Sequence, residues 1–144
     1  MTPKQNQPVT LLRRLGGIFY DALLAGSVIF IIAAITLTIL TINGLGNIQP
    51  DSPLSHVLFV YYIFIAFLYF AGFWTHGGQT PAMKIWKMRV ENMQGGQINS
   101  LESVARFGFA LVLPVVSQLW SLLDKEGLAL HDRLSQTRLV HLTE

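Results

Sequence analysis

The sequence predicts an all-α integral membrane protein with two transmembrane helices and a third apolar segment that a proline interrupts. Two long apolar runs, with at most one charge each, exceed the roughly 20 residues that a helix needs to cross a bilayer. The composition agrees, because 51% of the 144 residues are hydrophobic and only 12% are charged. A chain of this size predicts one membrane domain, over residues 10–144, preceded by a polar tail over residues 1–9.

The first predicted span, residues 18–42, carries one charge, Asp21, near its start. A carboxylate inside a span costs up to about 3 kcal/mol at the bilayer centre and less near the edge. A partner from another segment would offset that cost, and Arg106 is the first candidate. The run also exceeds the apolar core of a signal peptide, about 7–15 residues, so we expect the span to be retained.

The second predicted span, residues 54–74, is uncharged and rich in aromatic residues. The third apolar run, residues 107–123, contains Pro114, and two topologies are compatible with it. It either crosses the membrane once or is broken at Pro114 into two helical arms that enter and return. A straight helix of about 17 residues reaches roughly 25 Å, short of a hydrocarbon thickness of about 30 Å. This length favours the broken, re-entrant form.

The distribution of basic residues predicts a cytoplasmic N-terminus, because Lys and Arg concentrate in cytoplasmic flanks. Three basic residues precede the first span: Lys4, Arg13 and Arg14. The connection between the two spans, residues 43–53, has none. Four follow the second span: Lys84, Lys87, Arg89 and Arg106. A complete third crossing would place the remaining basic residues outside, against this rule: Lys125, Arg133 and Arg138.

Between the second and third apolar runs, local patterns predict small cytoplasmic elements. Thr80 before Pro81 is typical of a helix N-cap with proline at the first helical position. Residues 86–91 alternate between apolar and charged, which predicts a small hairpin ending at residues 94–96. Asn99, three residues before Glu102, predicts a capping box at the start of a helix.

The basic residues of this connection favour contact with anionic lipid headgroups, worth about 1 kcal/mol per charge, over nucleic acid. The three residues concerned are Lys84, Lys87 and Arg89. The chain has no cysteine, which excludes disulfides and thiolate chemistry. Its four histidines lack metal-ligand spacing, so we expect neither a metal nor another cofactor. His131 and Asp132 are adjacent and no nucleophile accompanies them, so we do not expect an enzyme.

Three blocks of sequence resemble the RDD family of small bacterial membrane proteins, which is named for one arginine and two aspartates. The blocks are residues 14–21 (RLGGIFYD), 78–90 (GQTPAMKIWKMRV) and 130–137 (LHDRLSQT). The resemblance implies that the arginine is Arg14, the first aspartate Asp21 and the second Asp132, with Asp124 as the alternative. It also implies a multi-pass protein of the bacterial inner membrane, and cation/proton exchange as an activity of some members.

Two functions are compatible with these observations. The first is transport of a small ion or solute, with Asp21 and also Asp132 exchanging protons with a cation, and with self-association to enclose a path. The second is an accessory or scaffold role, in which the helices bind another membrane protein. In that case Asp21 is a structural carboxylate that fixes helix packing.

Overall fold

The computed structural model describes residues 7–142 and is mostly helical. Its residues form two compact units, one comprising residues 22–69 and the other, in its described part, residues 7–21 and 70–142. The prediction of an all-α protein is corrected by a three-stranded sheet in the second of these units. Of the predicted polar tail, residues 1–6 lie outside the described residues, and residues 7–8 form a strand.

Two helices are long and apolar enough to span a membrane. Helix α1 extends over Leu11–Ile42 and begins well before the predicted span, whereas α2, Pro53–Thr75, matches the predicted bounds closely. Within residues 22–69, threonine hydroxyls donate to carbonyls one turn earlier, as Thr38 does to Ala34 at 2.7 Å. These polar groups are therefore satisfied inside the helix, as an apolar environment requires.

Pro114 does break the third apolar run. Helix α4, Ser100–Val112, and helix α5, Pro114–Trp120, meet at Leu113 with a bend of 103°. The capping box at the start of α4 is confirmed, because Glu102 N donates to Asn99 Oδ1 and Asn99 N donates to Glu102 Oε2, both at 2.8 Å. The sequence therefore encodes both the start and the break of this segment locally.

The sheet consists of β1 (Gln7–Pro8), β2 (Met88–Asn92) and β3 (Thr137–His141), in the order β1-β3-β2 with antiparallel pairing throughout. Strand β2 lies in the stretch whose alternation predicted a strand. The prediction of a local hairpin is wrong, since the partner of β2 is the distant strand β3. Three segments separated by α1, α2, α4 and α5 are thus hydrogen-bonded into one sheet.

Two short helices lead into the paired strands. Helix α3, Pro81–Ile85, precedes β2, and helix α6, Leu130–Leu134, precedes β3. Lys87 immediately precedes β2, and Gln136 immediately precedes β3. Both residues have left-handed backbone conformations, with φ of 51° and 53°. Val90 pairs with Leu139 at the centre of the ladder. The two helix–strand units therefore have the same order of elements, and their strands pair antiparallel.

The core of this unit includes residues of both long strands. Its buried apolar residues come from several segments: Val9, Trp74, Met83, Met88, Val90, Ile98 and Leu139. The Trp86 ring lies so close to Gly16 that a Cβ there would be 2.6 Å from it. Gly78 packs equally tightly against the Val90 carbonyl, with a positive φ of 73° that favours glycine. These contacts fix the first turns of α1 against α3 and β2.

Candidate functional site

The buried carboxylate of Asp132 joins two arginines from distant parts of the chain. Arg14 Nη1, in the first turn of α1, donates to Asp132 Oδ2 at 2.7 Å. Arg106 Nη1, in α4, donates to Asp132 Oδ1. All three side chains are almost completely removed from solvent. We call this group the arginine–aspartate triad.

The remaining donors of the two arginines are directed to other segments. Arg14 Nη2 donates to the Gly127 carbonyl at 2.9 Å, and Arg14 Nε donates to the Val9 carbonyl at 3.3 Å. Arg106 Nη1 also donates to Thr137 Oγ1 at 2.7 Å, and its guanidinium lies 5.2 Å from the centre of the Trp74 ring. The carbonyls and the aromatic face compensate part of the excess positive charge that two arginines bring to one carboxylate.

Asp132 has the pKa expected of a permanently ionised group. Burial alone would raise its pKa, but the positive charges of Arg106 and Arg14 and the hydrogen bond from Arg14 lower it below its usual value. Asp132 Oδ2 also accepts the Ala129 backbone N–H at 3.0 Å, at the start of α6. Both carboxylate oxygens are therefore occupied by donors.

A second buried contact links the triad to α5. The Ser117 hydroxyl accepts the His131 backbone N–H at 2.8 Å and lies 2.5 Å from His131 Nδ1. His131 Nε2 lies 3.4 Å from Asp132 Oδ1. Burial, and then the positive charge of Arg106, lower the pKa of His131 to about 4. The neutral ring is therefore hydrogen-bonded to the Ser117 hydroxyl at Nδ1, and its Nε2 faces Asp132.

Asp21 is in a different environment from Asp132, although both are buried. Its Oδ2 accepts the Thr80 hydroxyl at 2.5 Å, and Thr80 Oγ1 in turn accepts the Met83 backbone N–H at 3.2 Å as the N-cap of α3. Asp21 Oδ1 is enclosed and accepts no hydrogen bond of good geometry among residues 7–142, although the Ala82 backbone N–H in α3 lies close to the carboxylate. Within those residues no basic side chain forms an ion pair with Asp21, so the expected pairing with Arg106 is wrong.

Asp124, the alternative to Asp132, lies in the loop before α6 and contacts neither Arg14 nor Arg106 through any described hydrogen bond. It accepts the Arg133 Nε–H at 2.5 Å and the Leu128 and Glu126 backbone N–H groups, both at 3.0 Å. The hydrogen bond from Arg133 is the main reason that the pKa of Asp124 is lowered to about 2. Asp124 therefore stabilises a loop. Of Asp124 and Asp132, only Asp132 contacts Arg14.

The three residues expected at lipid headgroups lie on the exposed surface of α3 and β2. These residues are Lys84, Lys87 and Arg89. Arg89 Nε donates to the Gly77 carbonyl at 3.2 Å, which ties the strand to the turn after α2. In the part of the chain that the structure describes, no group of three or more His, Asp or Glu residues is arranged to hold a metal ion.

A comparison with protein-family models matches the model described as the RDD family over residues 8–136. The chain belongs to the RDD family. No curated protein and no solved structure matches it. In this RDD protein, the residues that resemblance assigns to the family's arginine and second aspartate, Arg14 and Asp132, are in direct contact, whereas Asp21 is separately bonded to Thr80.

Sequence reasoning found the members of this site but not all of their partners. Thr80 was recognisable only as a helix cap, and nothing in the sequence signals that its hydroxyl also meets Asp21. Ser117 was visible as a polar interruption of an apolar run, and His131 as a lone histidine. The contact between them depends on the bend at Pro114 and could not be read from local patterns.

Removing the charge of Asp132 should strongly destabilise this RDD protein. Asp132→Asn leaves two buried arginine charges without a counter-ion, and we expect the free energy of unfolding to fall by about 3–5 kcal/mol. Denaturant unfolding in detergent, followed by tryptophan fluorescence, measures the change. Glu126→Gln is the matched control, since its pair with Arg133 is exposed, and it should leave stability unchanged. Equal stabilities of the two variants would contradict the assigned role of Asp132.

Mild acid should also destabilise the fold, because the pKa of His131 is lowered to about 4. Between pH 6.5 and 4 the unfolded chain binds a proton that the folded chain excludes. Stability is therefore complete above pH 6.5 and decreases as the pH falls toward 4, with a loss of about 2 kcal/mol at pH 5. Unfolding measured at pH 7.5 and pH 5 tests this.

In that experiment His131→Gln should show a clearly smaller decrease than the parent protein. His56→Gln serves as the control, because that histidine lies exposed in the first turn of α2. If His131→Gln keeps the full pH dependence, the buried imidazole is not its source.

Proposed function

We propose that this RDD protein exchanges a small cation for a proton at Asp21. The single observation that carries the proposal is the unpartnered Oδ1 of a carboxylate that is only 3% exposed. An oxygen that accepts no hydrogen bond of good geometry keeps a lone pair available to a ligand. It can bind either a proton or a cation, and the chain provides no described basic side chain that would occupy it permanently.

The physical basis is the cost of a buried charge. Desolvation disfavours an unpaired carboxylate, so Asp21 is stable either as the neutral acid or as a carboxylate with a bound cation. Binding of the cation then releases the proton, and protonation releases the cation. The Thr80 hydroxyl, which donates to Oδ2, holds the side chain in place in both states.

Asp132 is unsuited to the same role, although the resemblance made it a candidate. Its two oxygens already accept hydrogen bonds from Arg14, Arg106 and Ala129, and its pKa is lowered. A cation would have to displace an arginine from a buried site. We therefore assign Asp132 a structural role and restrict exchange to Asp21.

The proposed membrane topology follows from the sheet. Strands β1, β2 and β3 share one ladder, so the segments that contain them must lie on the same side of the bilayer. Helices α4 and α5 connect β2 to β3, and we propose that they enter the membrane and return. With α1 and α2 as the two crossings, both ends of the domain are cytoplasmic, which agrees with the distribution of Lys and Arg.

Two crossings and one re-entrant segment enclose too little volume for a transport path, so the proposal includes self-association in the bacterial inner membrane. The exposed faces of α1 and α2 offer the surface for self-association. In each helix, only 6% of the most apolar 18-residue stretch is buried. The accessory role, in which another membrane protein covers these faces, is the alternative that the flux experiment decides.

The exchange proposal predicts that Asp21→Asn abolishes cation-driven proton movement. Purified protein in liposomes, with a pH-sensitive dye inside and a panel of monovalent cations outside, provides the measurement. Asp21→Glu should retain much of the flux because it keeps the ionisable group. Asp51→Asn, in the exposed loop between the spans, removes a carboxylate of the same type and should retain all of it.

Each flux variant is compared at equal yield and equal thermal stability. Flux that persists in Asp21→Asn contradicts the role of Asp21. Absence of flux in the parent protein over the whole panel contradicts transport and favours the accessory role, for which pull-down of membrane partners is the next measurement.

The topology predicts which positions share a side of the membrane. The chain has no native cysteine, so single cysteines can be introduced and labelled without background. Lys84→Cys and Lys125→Cys should react with an impermeant thiol reagent only in inside-out vesicles, and Asn47→Cys only in right-side-out vesicles. Opposite labelling of Lys84→Cys and Lys125→Cys would show that α4 and α5 cross the membrane.

A further inference from the structure

The Thr80 side chain lies between Asp21 and the first turn of α3, and it is completely buried. Its hydroxyl donates to Asp21 Oδ2 at 2.5 Å, and its Oγ1 accepts the Met83 backbone N–H at 3.2 Å. A threonine hydroxyl has one proton, and an ionised carboxylate can only accept hydrogen bonds. The single hydroxyl proton of Thr80 is therefore directed to Asp21, while a lone pair of the same oxygen caps α3.

Met88 of β2 contacts the neighbours of both side chains. Gln79, which immediately precedes Thr80, donates from Nε2 to the Met88 carbonyl at 2.7 Å. Gly17 precedes Asp21 by four residues and so lies on the same face of α1. A Cβ at Gly17 would be only 2.5 Å from Met88 Cε. The hydrogen bond between Thr80 and Asp21 thus joins two segments that β2 already holds in place.

The two carboxylate oxygens of Asp21 are consequently not equivalent. Oδ2 accepts the Thr80 proton, and the Ala82 backbone N–H lies close to the carboxylate. Oδ1 accepts no hydrogen bond of good geometry among residues 7–142. A proton on Oδ2 would face the hydroxyl proton of Thr80, whereas a proton on Oδ1 leaves the hydrogen bond to Thr80 intact. Oδ1 is therefore the oxygen that can change its occupant without disturbing the start of α3.

We propose that Thr80 is a positioning residue for cation/proton exchange, and that its hydroxyl restricts the exchange at Asp21 to Oδ1. This inference rests on the exchange function proposed above. A hydrogen-bond donor to a carboxylate stabilises the ionised form relative to the protonated form. The Thr80 hydroxyl therefore also favours replacement of the proton by the cation, and it determines the pH range over which exchange takes place.

Thr80→Val and Thr80→Ser, compared with the parent protein in liposomes with Na⁺ or K⁺ as the driving cation, test the proposal. Val has nearly the shape of Thr but lacks the hydroxyl, so Asp21 should keep its proton more strongly. At neutral pH the KM for the cation should rise on the order of tenfold, with little change in maximal flux. The pH profile of flux should move upward by about one unit, which is the same tenfold change in proton concentration. Thr80→Ser keeps the hydroxyl and should restore both quantities.

Loss of the hydroxyl also removes the N-cap of α3, and Asn99→Ala is the matched control for that effect. Asn99 Oδ1 caps α4 by accepting the Glu102 backbone N–H at 2.8 Å. Its removal should lower thermal stability to a similar extent as Thr80→Val, without changing the KM or the pH profile. If Asn99→Ala raises the KM equally, loss of a cap explains the change and the positioning role is wrong. Thr80→Ala, which also lacks the hydroxyl, replaces Thr80→Val if that variant does not fold.

Infrared spectroscopy of the full-length protein distinguishes failure of this inference from failure of the exchange function. The C=O stretch of a protonated carboxyl group, assigned to Asp21 by its loss in Asp21→Asn, reports protonation without any flux. In Thr80→Val the band should persist to a pH about one unit higher than in the parent protein. A band that moves in a protein without flux contradicts the exchange function alone. A band that does not move overturns the role of Thr80 even where flux is present, and absence of the band from the parent at every pH contradicts both.

Discussion

The carboxylate of Asp132 is the interaction on which the rest of the structure depends. It compensates the charge of two buried arginines that no other described acid contacts, and so it joins the first turn of α1, the middle of α4 and the start of α6. A buried pair of this kind contributes little net stability compared with apolar packing. Its effect is on specificity, because any arrangement that separates the three segments leaves a charge buried and unpaired.

The triad also determines where Asp21 lies. Arg14 and Asp21 are two helical turns apart on one face of α1, so fixing Arg14 against Asp132 fixes the direction from which Asp21 approaches α3. The N-terminus of α3 then supplies the Thr80 hydroxyl. Asp21 and Asp132, which look equivalent in sequence, therefore have different environments. Both oxygens of Asp132 accept hydrogen bonds, whereas Asp21 Oδ1 accepts none of good geometry. We therefore assign a structural role to Asp132 and the proposed exchange to Asp21.

The sequence predicted the features of the fold that depend on neighbouring residues. Thr80-Pro81, the Asn99–Glu102 capping box and the break at Pro114 each depend on residues within one turn of helix, and each was predicted. Partners distant in sequence were not predicted. Arg106 was expected at Asp21 because both are charged and near apolar runs, yet it bonds Asp132. Strand β3 was missed, because its partner β2 is distant in sequence and no local pattern indicates the pairing.

The order of the sheet has a consequence for how the protein is made. Strand β3 is central, between β1 and β2, yet it is the last of the described elements to leave the ribosome. Until then β1 and β2 have no strand partner, and Arg14 and Arg106 have no counter-ion until α6, just before β3, supplies Asp132. The two long apolar helices therefore leave the ribosome before the sheet can close, and contacts of this long sequence separation form slowly. During that interval the nascent chain exposes an unpaired strand edge, which is a feature that favours pairing with the wrong segment or with another chain.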